Sequence, residues 1–177
     1  MRSQFFDGFD FAEYKFSIVA VEHVDEFFNI EQYGLHPVIY DESCLRGYAC
    51  IFGFTEDKHL ALHKLFTNNN GRPAPSIDGV EPVPFHSPAG DLRYDLELAI
   101  PYSGSILIAN GFIQKYFVPF GFQIPHAFKK VYELTFDEGL FVRVEDRSEA
   151  ARQLRIEYKE PLPPEKKLQL RVAHWFN

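Results

Sequence analysis

LRGYACIFGFTEDKHLALHKLF, residues 45–66, decides the fold class of this chain. In its first half Tyr48, Cys50, Phe52 and Phe54 fall on one side, and Gly47, Ala49, Ile51 and Gly53 on the other, which is the two-residue alternation of a strand. The polar TEDK at 55–58 reads as a hairpin turn, and HLALHKLF as the returning strand. The same stretch holds His59 and His63, whose spacing of four is that of two zinc ligands on one helix face. On a strand the two imidazoles stand roughly 13 Å apart, too far to share one ion. The glutamate of the H-E-x-x-H pattern is also missing, so the expectation is a hairpin with no metal.

Outward from this hairpin, short extended runs alternate with turn residues. YKFSIVAVEHV (14–24) is rich in β-branched residues, and VDEFFNIEQYG after it can turn helical and stop at Gly34. HPVIYD (36–41) reads as a short strand opening at a proline. Residues 67–90 hold five prolines, three glycines and three consecutive asparagines, so they read as one long loop. DLRYDLELAIPY (91–102) alternates as a strand with one wet face, and GSILIANGFI (104–113) is apolar enough for a central strand, with Asn110–Gly111 offering a turn. QKYFVPFGFQIPHAFKK (114–130) reads as a strand running into an irregular loop. VYELTFDEGLFVRV (131–144) is a second hairpin with Gly139 in a three-residue loop. DRSEAARQLRIEYK (146–159) is a helix capped by Ser148. After it come a linker (EPLPPEKK) and a terminal strand whose Trp175 is expected to dock. The predicted class is mainly β, mostly antiparallel, a barrel or a sandwich with one or two short helices, in a single domain spanning 1–177.

Composition narrows the function. Nineteen Phe and nine Tyr against one Met and one Trp favour strands around a large aromatic core. The formal net charge of −7, with no cluster of Lys and Arg, argues against nucleic acid as a partner. No apolar run approaches the ~20 residues that span a bilayer, and the N-terminal acids do not fit a signal peptide, so no membrane is expected and the cytoplasm is the predicted location. Cys44 and Cys50 lie in a run that reads as extended, which would hold them roughly 20 Å apart as free thiols.

The chain has no nucleophile elbow, phosphate loop, dinucleotide fingerprint, C-x-x-C or EF-hand loop, so no catalytic residue and no cofactor is assigned. Asp95 and Glu97 share a strand face at roughly carboxylate-pair spacing, but a solvated strand face is the preferred explanation. Five residues stand out as binding candidates. Arg46 and Tyr48 lie at the entrance of the first hairpin, where Arg46 can anchor an acidic group or pair with Asp41 or Glu42. His86 sits in the proline-rich segment, and Gln123 and His126 sit among aromatics in GFQIPHAF.

Together, LRGYACIFGFTEDKHLALHKLF and GFQIPHAFKKVYELTFDEGLFVRVEDRS resemble small bacterial proteins that carry an R-G-Y strand, a hairpin returning through alternating leucines and a similar later hairpin. The resemblance implies a bacterial, cytoplasmic protein and attaches no activity. Three functional expectations follow. The first is a non-catalytic protein binding a protein partner, for example an immunity or antitoxin-like partner of a basic toxin. The second is a β-barrel holding a small apolar ligand, and the third an enzyme with an improvised acid/base pair drawn from His86, His126, Asp91 or Asp95.

Overall fold

The structure, a computed structural model, describes residues 3–119, 121–158 and 175–176. Nine strands form one mixed sheet: β1 (Gly8–Phe11), β2 (Tyr14–Val21), β3 (Tyr48–Phe54), β4 (Leu60–Thr67), β5 (Val83–Ser87), β6 (Gly90–Ala99), β7 (Gly104–Phe112), β8 (Phe128–Asp137) and β9 (Leu140–Asp146). Their order is β5-β6-β4-β3-β1-β2-β7-β8-β9. β1 and β3 run parallel, and every other neighbouring pair is antiparallel. The single α-helix among the described residues, α1 (Ser148–Glu157), follows β9. The mainly β, mostly antiparallel expectation holds.

The sheet curls without closing. The tips of the β3–β4 and β8–β9 hairpins meet, with Leu60 N–H donating to Gly139 O at 2.7 Å and Phe141 N–H to Lys58 O at 3.0 Å. The curl encloses Phe9, Phe52, Leu62, Tyr94, Ile108 and Leu134, all buried, and the alternating face foreseen for β3 supplies Cys50 and Phe52. Aromatic rings fill this interior edge to face, as where Phe9 meets Phe54 at 5.3 Å and Phe16 meets Tyr132 at 5.7 Å. The outer face of β7 and β8 is covered separately: Leu107 and Val131 pack against Ala151 and Leu154 of α1 and against Trp175, which is docked as expected.

Several local readings change. Residues 36–41 form no strand. Instead of pairing with a strand, Val38 N–H donates to Asn68 Oδ1, and Asn68 Nδ2 donates back to Val38 O. Asn68 and Asn69 are therefore buried joints rather than loose loop. The proline-rich segment contains β5, which tolerates Pro84 because it is the edge of the sheet. Asn110 and Gly111 lie inside β7, with no turn. The β8–β9 loop is the two-residue Glu138–Gly139, both with positive φ, because Asp137 pairs directly with Leu140. Residues 114–116 form a 3-10 turn where a strand was expected.

The start of α1 also differs. Ser148 is its first residue, and its N–H is capped by Asp146 at 2.9 Å while its hydroxyl accepts from Val131 N–H. Cys44 is not in an extended run, because the chain reverses at 44–47, where Gly47 N–H donates to Cys44 O. Gly47 has φ +75, and a Cβ there would fall 2.4 Å from Val38 O, which explains the glycine of R-G-Y. Both cysteines are free and buried. The linker at 160–167 and nearly all of the predicted terminal strand lie outside the described residues.

Candidate functional site

The sheet splits where β1 begins. Gly8 faces Ser17 on β2 and Ile51 on β3, and there the strand pairing ends. Upstream, Phe6 turns to the outer face, packing on Phe122 at 5.3 Å and Phe128 at 6.1 Å. Asp7 stays between the two flanking strands: its carbonyl accepts from Ile18 N–H, and its carboxylate accepts Cys50 N–H at 2.8 Å where a strand carbonyl would otherwise be. Beyond Asp7, residues 19–21 of β2 and 48–50 of β3 part without a strand between them.

The resulting fissure has a volume of about 540 Å3, and its apolar walls include Phe6, Val19, Val21, Phe27, Phe28 and Phe122. That size lies within the range of roughly 300–1,000 Å3 typical of ligand sites. Arg46 and Tyr48 also line it, so the structure brings two of the five candidates together. The Arg46 guanidinium lies over the Tyr48 ring, 4.2 Å from its centroid, and Nε donates to Tyr48 O at 2.9 Å. Its Nη2 donates to Asp7, not to the expected Asp41 or Glu42. Burial alone would lower the Arg46 pKa, but the neighbouring groups, Asp7 first among them, outweigh it and raise it, so the guanidinium stays charged. Burial raises the Tyr48 hydroxyl, partly offset by Arg46, and pushes the Cys50 thiol well above its ordinary value. Neither group is primed as a nucleophile.

The rim is acidic. Residues 16–45 contain no Lys or Arg but hold Glu22, Asp25, Glu26, Glu31, Asp41 and Glu42. After β2 the segment forms two 3-10 turns, Val24–Glu26 and Ile30–Tyr33, pinned inward by buried Phe27 and Ile30, the second ended by Gly34 in the left-handed conformation. Phe27 packs on Phe52 at 4.8 Å and Tyr102 at 5.0 Å, so these turns sit on a rigid floor. Asp25, Glu26 and Glu31 remain exposed. Asp25 also lines a second, smaller depression of about 210 Å3, there together with Glu26, Asn29 and Gln32. The site is thus an apolar cleft whose internal cation is already matched and whose outer edge is negative.

The other candidates lie elsewhere. His86 is on β5, exposed, with Nδ1 3.4 Å from an Asp91 oxygen that also accepts from the Tyr40 hydroxyl at 2.9 Å. Gln123 is buried and clamps Val118, accepting from its N–H and donating to its carbonyl, each at 2.8 Å. His126 is 1 % exposed in the 3-10 turn Pro125–Ala127, near Tyr116. Hydrogen bonds from Arg93 and Lys64 hold the Asp95 carboxyl below its usual range, which is the behaviour of an ion-paired strand face. Among the described residues no three His, Cys, Asp or Glu side chains gather as metal ligands. The His63 ring lies against the backbone at Gly53, where a Cβ would stand 2.7 Å from Cε1.

Sequence reasoning missed Asp7 and the acidic rim. The rim had a visible signal, the absence of Lys and Arg from 16 to 45. Asp7 had none, because its partners lie 39 and 43 residues away. The chain matches no protein-family model, no curated protein and no solved structure.

Proposed function

We propose that this chain is a non-catalytic binding protein whose partner is another protein, one that presents an apolar side chain flanked by Lys or Arg to the fissure between β2 and β3. The observation that carries this reading is the apolar cleft lined by Asp25, with Glu26 next to it in a stretch that has no Lys or Arg, on a chain of net charge −7. Apolar walls supply the affinity and the acidic rim speeds encounter with a basic surface. Pairing with Asp7 balances the charge of Arg46, the one Lys or Arg among the described residues that line the cleft, which would otherwise repel such a partner. An immunity-like or antitoxin-like inhibitor of a basic toxin is one protein of this kind, and the cytoplasm is the compartment we assign. In keeping with that assignment, no helix among the described residues is long and apolar enough to cross a membrane.

The test is affinity capture from lysate of the source cells with three baits: the wild type, Asp25→Lys/Glu26→Lys and Val21→Arg. A stoichiometric basic protein held by the wild type and lost from both variants supports the reading. A partner retained by both variants, or an acidic one, overturns it.

A further inference from the structure

The fissure is one strand wide where it starts. Gly8 pairs with Ser17 of β2 and with Ile51 of β3, so the two flanking strands stand two inter-strand spacings apart there, roughly 9.5 Å. That leaves room for one extended chain, whereas a helix with its side chains is itself about 10–12 Å across. Beyond Asp7 the line of β1 runs on as the fissure, and no strand of the described residues follows it.

The two walls differ in their main chains. Cys50 N–H is taken by the Asp7 carboxylate, and Tyr48 O accepts from Arg46 Nε at 2.9 Å and from Cys44 Sγ at 3.3 Å, so the β3 wall is satisfied. On β2, Glu22 N–H donates to Ser105 O at 2.9 Å, towards β7. Bonded and non-bonded positions alternate along an antiparallel pair, and Val21 stands opposite Ile106 one step earlier. Its N–H and C=O therefore point away from β7, into the fissure that Val21 lines. A protein that fills the fissure takes water from those two groups, and an apolar side chain alone gives them no bond in exchange. An extended main chain does.

The lining sets the side-chain pattern of such a chain. Phe27 lies in the inner core with Val21 and Phe28 packed against it, whereas Val19 lies in the outer cluster with Phe6 against it, so the fissure is apolar on both sides of the sheet. A strand lying there is apolar at consecutive residues, as central strands are, and Asp25 and Glu26 favour Lys or Arg at its ends.

On the reading that the fissure takes a basic protein, we infer that the partner enters as an extended strand: a short run of consecutive apolar residues with basic ends adds to β2 at Val21 and takes up the line of β1. The test uses three synthetic peptides with the purified full chain, read by calorimetry and by hydrogen exchange at the Val21 amide. They are Lys-Lys-Val-Ile-Val-Lys-Lys, the same peptide N-methylated at its three apolar residues, and Glu-Glu-Val-Ile-Val-Glu-Glu. N-methylation removes main-chain donors and keeps the side chains and the charge. The expected result is that the first peptide binds and slows Val21 exchange, and that the N-methylated one binds at least about tenfold more weakly. No binding of the first peptide, equal binding of these two, or unchanged exchange at Val21 overturns the inference. The acidic peptide keeps the two ideas apart: if it binds and slows Val21 exchange as well as the basic one does, strand addition stands and the charged rim of the proposed function falls.

Discussion

Asp7 binds Arg46 through Oδ1, the carboxylate oxygen that also accepts the Cys50 N–H, so one side chain both balances the charge in the fissure and completes the edge of β3. Asp7→Asn leaves an amide oxygen for Cys50 but strands the guanidinium against apolar walls. The expected loss is about 2 kcal/mol of unfolding free energy by urea titration. Asp7→Asn/Arg46→Gln recovers part of it, because the second change removes the stranded charge. Strictly additive losses would show that the two residues do not act as a pair.

Asn68 joins three separate segments. Its amide pairs with Val38, donates to Ala89 O at 2.9 Å and caps Asn70 N–H at 3.1 Å, all in a side chain 9 % exposed. Asn68→Ala takes the partner from the buried Ala89 carbonyl and from part-buried main-chain groups of Val38 and Asn70, and is expected to cost about 3 kcal/mol. It also raises hydrogen exchange at the amide of Val38, which has no strand neighbour. Unchanged exchange there would contradict the view that the side chain stands in for a strand.

Much of the sheet was legible from local pattern, because period-two alternation in Tyr48–Phe54 and in residues 91–100 is a property of consecutive residues. The misreadings arose where long-range contacts decide. Residues 36–41 have strand-like composition, yet the row opposite them is two asparagine side chains. Val83–Ser87 contains a proline, yet its place at the sheet edge makes it a strand. Arg46 and Tyr48 are two apart, so their stacking was within reach of the sequence, whereas Asp7 was not. Gln123 and His126 sit in an aromatic loop of pocket-like composition, but the loop packs inward, with Gln123 clamping Val118 and His126 buried.

Gly53 and His63 form a packing pair across β3 and β4. Gly53→Ala would drive a methyl to 2.7 Å from the His63 ring, so it is expected to lower Tm, and His63→Ala in the same chain to restore most of the loss. Zinc is expected to leave the Tm of the wild type unchanged, because His63 lies on Gly53 and His59 is at the hairpin bridge. A zinc-dependent rise that disappears in His63→Ala would revive the helical-spacing idea.

Asp146 makes α1 sensitive to acid. Hydrogen bonds from Ser148 hold its carboxyl below the ordinary aspartate value, so the folded pKa lies below the unfolded one, near 3.9. This contribution is complete above the unfolded value and is lost as pH falls through the folded one. Asp146→Ala is therefore expected to cost about 1 kcal/mol at neutral pH, and the gap to wild type to narrow in strong acid. A gap of constant size down to the acid limit would assign the effect to packing rather than to the charged cap.

The most direct measurement is the association rate of the captured basic partner with wild type and with Asp25→Lys/Glu26→Lys, as a function of ionic strength. An acidic rim that steers a basic protein into the fissure predicts a wild-type rate that falls steeply as salt is added. It also predicts a variant rate about tenfold lower at low salt, with a much flatter salt dependence. Equal rates and equal salt slopes for the two proteins would contradict the account, because the partner would then be arriving somewhere other than the fissure.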